Sequence, residues 1–149
     1  MNQTERVLNL LLVEDDPSDI RIFKDIMKQC IGCWQFNVVS DGEEAMNYLR
    51  KKDKYFEAVR PNLILLDLNM PKKDGREVLS EIKSDPELTA IPVIILTTSQ
   101  SELDIQTSYK LHASSFVTKP RERKDFIGII KGLDNYWSNI ATPPTFPKG

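Results

Sequence analysis

The sequence is 149 residues long, enough for one domain with a real core and too short for a second of ordinary size. Its charge is nearly balanced, 20 Lys+Arg against 22 Asp+Glu, so no global basic footprint recruits nucleic acid. The apolar run Val7 to Val13 is short, ends in acids and lacks a small-residue cleavage site, and no stretch reaches membrane-spanning length. A cytoplasmic protein without membrane attachment is expected.

Leu8 to Val13 reads as the first strand. In the following Glu14-Asp15-Asp16-Pro17-Ser18-Asp19, Asp16 suits an N-cap, Pro17 the first helical position and Asp19 the first turn. Ile20, Phe23, Ile26, Met27 and Cys30 then recur at helical spacing. Capping accounts for Asp16 and Asp19. It does not account for Glu14 and Asp15, adjacent carboxylates at a strand tip that repel unless they share a cation. Cys30-Ile31-Gly32-Cys33 has redox-pair spacing but follows a helix, the end whose dipole disfavours a thiolate. Two further zinc ligands of the same kind are missing, so a packing role is expected.

Trp34 to Val39 alternates, with Trp34, Phe36 and Val38 on one side, and predicts the second strand. Ser40-Asp41-Gly42 turns into a helix carrying Ala45, Met46 and Leu49, and the charged Arg50 to Lys54 and the path to Pro61 form a solvated connection. Leu63 to Leu66 is apolar without alternation, as in a strand buried on both faces, and runs directly into Asp67. Open α/β sheets place their chemistry at such carboxyl ends.

Lys72-Lys73-Asp74-Gly75 leads into a helix with Val78, Leu79 and Ile82, stopped at Ser84-Asp85-Pro86. Val93 to Leu96 is the fourth strand, ending in Thr97-Thr98-Ser99. The helix from Glu102 to Leu111 has no single apolar stripe and is a candidate mobile or partner-facing element. Ser115 to Lys119 is the fifth strand. The last helix, Lys124 to Asn139, carries Phe126, Ile127, Ile130, Leu133 and Trp137, with Ile129 and Tyr136 flanking them. Thr142 to Pro147 cannot be regular helix and should run extended over the surface or stay loose.

Five strands alternating with five helices and no hairpin signals predict an α/β domain, a doubly wound five-stranded parallel sheet. The expected layout is one domain over 1–141 and a proline-rich tail over 142–149, with no room for an output domain. One sheet edge would then collect Glu14, Asp15, Asp67, Thr97 and Lys119.

These motifs carry a resemblance. Val13-Glu14-Asp15, Leu66-Asp67-Leu68-Asn69-Met70-Pro71, Asp74-Gly75, Leu96-Thr97 and Thr118-Lys119-Pro120 match, in order and spacing, the receiver domain of two-component response regulators over nearly the whole chain. More narrowly, Lys72 to Leu79, Thr97-Thr98-Ser99, the long loop before Arg60-Pro61 and the tryptophan in the last helix are similar to single-domain regulators paired with cyanobacterial phytochrome kinases.

The resemblance implies a flavodoxin-like receiver fold and a phosphorelay switch rather than an enzyme, catalysing only its own phosphorylation and dephosphorylation. Asp67 would be the phosphoacceptor, taking a phosphoryl group from a histidine kinase. Mg2+ would be held by Asp15, Asp67 and the Asn69 carbonyl directly and by Glu14 through water. Lys119 and Thr97 would meet phosphoryl oxygens, and Thr97 with Phe116 would form the switch, although Phe116 also suits an ordinary core position. His112 replaces the family's usual glycine and suits a left-handed cap. A homodimer through the fourth helix, fifth strand and fifth helix is expected. The alternative is an aspartate-nucleophile phosphatase of the haloacid dehalogenase type, which places its nucleophile after the first strand and its acid pair last. No Gly-rich loop supports a nucleotide-binding module.

Overall fold

Strands β1 (Leu8–Val13), β2 (Trp34–Val39), β3 (Leu63–Leu66), β4 (Val93–Thr97) and β5 (Ser115–Thr118) pair in the order β2-β1-β3-β4-β5, every pair parallel. The computed structural model describes residues 7–29 and 34–147, so the expectation for Cys30 and Cys33 lies outside the described residues. The central strands β1, β3 and β4 are buried on both faces, as their unbroken apolar runs require. Edge strand β2 alternates half-buried Trp34, Phe36 and Val38 with exposed Gln35 and Asn37. The register sets Val13 beside Leu66, Leu66 beside Ile95, and Thr97 beside Thr118, which brings the strand tips together at one edge.

Helices α1 (Pro17–Met27), α2 (Gly42–Leu49), α3 (Gly75–Ser84), α4 (Glu102–Lys110) and α5 (Arg123–Asn135) connect the strands. The first four begin on Asp16, Asp41, Asp74 and Ser101, each of whose side chains accepts a first-turn N–H that the helix cannot satisfy internally. On one face of the sheet Phe23, Ile26, Phe126 and Ile130 of α1 and α5 cover Leu10, Leu12, Leu63, Leu65, Ile94 and Leu96. On the other, Ala45, Met46, Leu49, Val78, Leu79 and Ile82 of α2 and α3 cover Leu11, Val13, Ile64, Leu66, Val93 and Ile95. From α4 the only buried residue is Ser108, in keeping with its scattered apolar positions.

The boundaries differ from the expectation in places. Ile20 stays half-exposed while Ile22 joins the α1–α5 cluster. Strand β4 extends to Thr97, because Lys119 N–H reaches its carbonyl at 2.7 Å, and β5 stops at Thr118. The last helix is α-helical only to Asn135. Tyr136–Ile140 forms a wider π turn that keeps Trp137 on the cluster, beside Asp134, which accepts Trp34 Nε1–H at 2.6 Å and the Ser138 hydroxyl at 3.0 Å.

Beyond the π turn the tail leaves the α1–α5 face. Buried Asn62, just before β3, exchanges backbone and side-chain bonds with Asn9 and donates from Nδ2 to the Pro144 carbonyl at 2.8 Å. Phe146 then packs against the α2–α3 cluster. The tail is thus an extended strap beneath the sheet's amino ends. Past α5, Tyr136 is 47% exposed and meets the Trp137 ring edge-on.

Truncation after Ala141 should therefore destabilise the fold by roughly 1–3 kcal/mol, through the unpaired Asn62 amide and the lost Phe146 contact. Urea unfolding of the truncated and intact chains measures this, and equal midpoints would contradict the strap.

Candidate functional site

At the carboxyl edge the chain continues the sheet's backbone pairing for one residue past each tip. Glu14 N–H donates to the Val39 carbonyl at 3.0 Å and Asp67 N–H to the Val13 carbonyl at 3.0 Å, so both carboxylates start from fixed backbone. Helix α3 begins directly against the β3 tip. Gly75 N–H donates to the Leu68 carbonyl at 2.9 Å, and a Cβ on Gly75 would lie 2.3 Å from the Asp67 carbonyl oxygen. Only glycine allows this approach.

The Lys119 ammonium is the centre of the cluster. It donates to Glu14, to Asp19 Oδ2 at 2.9 Å and to Asp67 Oδ2 at 3.2 Å, and it is only 8% exposed. The second oxygen of Glu14 accepts the N–H groups of Asp15 and Asp16 at 3.1 and 3.2 Å. Asp67 Oδ1 accepts Asn69 N–H at 3.2 Å. Asp15 is exposed at the rim, and one oxygen each from Glu14, Asp15 and Asp67 lie within 4.8 Å of one another. Four carboxylates and one ammonium leave the spot short of positive charge. The all-oxygen donor set, part buried and part open to solvent, fits a hard divalent cation.

Burial opposes ionisation of Glu14 more strongly than Lys119 favours it, and its carboxyl is raised to about 7. For Lys119 burial works against the charge, but the bonds from Glu14 and Asp19 and the Asp67 charge outweigh it and hold the ammonium above its ordinary range.

The predicted residues Glu14, Asp15, Asp67 and Lys119 thus meet in space. Thr97 is fully buried at the same edge, its Oγ1 accepting Ser99 N–H at 3.4 Å. Asn69 is exposed beside Asp67. Phe116 stands apart, half-buried against the α2–α3 cluster, with its N–H donating to the Tyr109 hydroxyl at 3.1 Å. His112 is exposed at φ 70°, the left-handed cap expected of it. Asp19 is the member of this cluster that the capping pattern concealed: Asp16 does the capping, and Asp19 turns inward to Lys119. Its position in the first turn was visible, but its direction depends on the placement of α1 over the sheet. An open cavity of about 690 Å³, between Leu49, Ala58, Leu88 and Phe146, is lined by none of these residues.

The raised Glu14 value fixes a pH dependence. Between about 4.5 and about 7 the folded chain holds a proton on Glu14 that the unfolded chain has lost, so the contribution of this group is full below that window and falls as pH rises through it. Relative to Glu14→Gln, the metal-free wild type should lose on the order of 2 kcal/mol of stability from pH 4.5 to 8. Denaturant midpoints of the two proteins across that range check it, and a constant difference would refute it.

Comparison with known proteins agrees with this geometry. Residues 10–131 match the response regulator receiver domain. The chain is 44% identical over 135 residues to response regulator Rcp1 of Synechocystis sp. (strain ATCC 27184 / PCC 6803 / Kazusa), covering 91% of this chain and 92% of that one. The crystal structure of the Mn2+-bound form of Rcp1 is 43% identical, covers 93% of this chain and 99% of its own, and superposes with a TM-score of 0.90. That of the phosphorylated cyanobacterial phytochrome response regulator RcpA is 46% identical, covers 94% and 100%, and superposes at 0.91. The dehalogenase-type alternative finds no support, since the acid pair follows β1 and Asp67 follows β3. The chain belongs to the response regulator receiver domain family and is a homologue of the cyanobacterial phytochrome response regulators.

Proposed function

We propose that the chain accepts a phosphoryl group on Asp67 from the phosphohistidine of a phytochrome-type histidine kinase. The observation that carries this reading is the buried Asp67 carboxylate, held between Asn69 N–H and the Lys119 ammonium at a strand tip lined by further acids. An Asp67 oxygen attacks phosphorus, the O–P bond forms as the N–P bond breaks, and the departing imidazole nitrogen takes a proton from solvent. Lys119, already on Asp67, follows the charge onto a phosphoryl oxygen, and the Thr97 hydroxyl donates to another. Bound Mg2+ would neutralise phosphoryl charge, held by Asp15, Asp67 and the Asn69 carbonyl and through water by Glu14. Phe116 follows Thr97 as the aromatic half of the switch.

The same reading makes the protein a cytoplasmic signalling partner of the kinase rather than a metabolic enzyme or a nucleic-acid binder. Leu103 and Tyr109 on α4 and Tyr136 and Ile140 past α5 are exposed apolar groups, and they support a two-fold dimer through α4, β5 and α5.

Incubation with a phosphorylated phytochrome kinase, labelled on histidine, should place base-labile label on wild type and none on Asp67→Asn. Full labelling of that variant would overturn the assignment. Millimolar Mg2+ should raise the melting temperature of wild type and not of Asp15→Ala; equal shifts in both would remove Asp15 from the metal site. In sedimentation, Leu103→Glu combined with Tyr136→Glu should be monomeric at concentrations where wild type is dimeric, and a monomeric wild type, phosphorylated or not, would remove the dimer.

A further inference from the structure

A second polar network spans two loops of the same sheet edge and meets the acid cluster through Thr97 and through the start of α3. Arg76, in the first turn of α3, donates from Nη1 to both oxygens of Asp74 at 2.9 and 3.1 Å, and from Nε and Nη2 to Asp104 Oδ1 at 3.1 and 2.6 Å. The other Asp104 oxygen accepts the Ser99 hydroxyl at 2.7 Å. Together Ser99 and Arg76 hold the Asp104 carboxyl below its usual range. Ser99 in turn receives Ser101 N–H on its hydroxyl at 3.2 Å and gives its own N–H to Thr97 Oγ1 at 3.4 Å.

A threonine hydroxyl has one hydrogen to give and two lone pairs to fill. With Ser99 N–H on one lone pair of the fully buried Thr97 oxygen, the Thr97 hydrogen stays free to be given elsewhere, and the position of Ser99 decides where it can point. Little apolar burial holds that position, because α4 adds only Ser108 to the buried set. Polar contacts hold it instead: the Ser99 carbonyl accepts the Thr118 hydroxyl at 3.5 Å, and the Ser99 side chain is tied to Asp104, Asp104 to Arg76, and Arg76 to the turn of α3 whose Gly75 is pressed against the Asp67 backbone. The guanidinium fork reaches two carboxylates at once, which a lysine point charge cannot reproduce in this geometry.

We propose that Arg76 is a positioning residue for phosphoryl acceptance: through Asp104 and Ser99 it holds the Thr97 hydroxyl in reach of the group arriving on Asp67, and it ties α4 to that event. This rests on the reading of Asp67 as phosphoacceptor. Arg76 touches none of the reacting atoms, so its effect passes through Thr97.

The test is a cycle of wild type, Arg76→Ala, Thr97→Ala and the double variant. Each is titrated with beryllofluoride, a tetrahedral phosphoryl mimic, in saturating Mg2+, and with Mg2+ alone. Arg76→Ala should weaken beryllofluoride binding by about fivefold to tenfold, leave Mg2+ affinity unchanged, and add nothing in the Thr97→Ala background. Ser99→Ala cuts the same chain without removing a charge, should show the same pattern, and serves where Arg76→Ala does not fold. Beryllofluoride affinity equal to wild type, or an equal loss with and without Thr97, would overturn the role of Arg76 while leaving the phosphoacceptor intact. Failure of wild type itself to bind beryllofluoride would overturn both.

Discussion

One buried ammonium shared among three carboxylates is the constraint on which the functional edge depends. Lys119 reaches Glu14 from β1, Asp19 from α1 and Asp67 from β3, and its own backbone hangs from Thr97 on β4. A single residue thereby joins four elements, three of them through its side chain, at a place where the sheet's apolar packing has ended. The arrangement is stable as a scaffold yet short of positive charge, since a fourth acid, Asp15, stands open at the rim. Removing the ammonium would leave buried carboxylates unpaired, a far larger penalty than the net worth of the pairs themselves.

The rest of the fold supplies that edge with its geometry. Parallel pairing puts every strand's carboxyl end on one side, and the register brings the tips of β1, β3, β4 and β5 level. The glycine at the start of α3 lets that helix press on the Asp67 strand, and the tail straps the opposite edge through Asn62. The two edges divide the work: apolar and amide contacts hold the amino side, while the carboxyl side is held by charges that an arriving phosphoryl group can redistribute.

Much of this was legible in the sequence for a physical reason. Strands buried on both faces have to be uninterruptedly apolar, so Leu63 to Leu66 marked the centre of the sheet and put Asp67 at its tip. Acids that exceed what capping needs, as Glu14 and Asp15 do, mark a site of shared charge. Side-chain direction was not legible. Asp19 reads as a capping acid until α1 is laid over the sheet, and the meeting of Arg76 with Asp104, 28 residues apart in the chain, depends on how α3 and α4 sit side by side. The path of the tail hid likewise, because prolines exclude a helix without saying which surface the extended chain will follow. The π turn at Tyr136–Ile140 left no mark in the apolar periodicity of the last helix.

The switch reading follows from this division of charge. Asp67 is placed to become more negative on modification, next to an ammonium that already contacts it, at the same edge as a buried hydroxyl whose hydrogen is uncommitted to Ser99. The loop after Thr97 leads into α4, which is lightly packed and carries exposed Leu103 and Tyr109. The most direct measurement is chemical: the protein is phosphorylated, the acyl phosphate is reduced with tritiated borohydride, and the labelled peptide is sequenced. The account requires the tritium on a homoserine at position 67; tritium at any other carboxylate, or none after full phosphorylation, would contradict it.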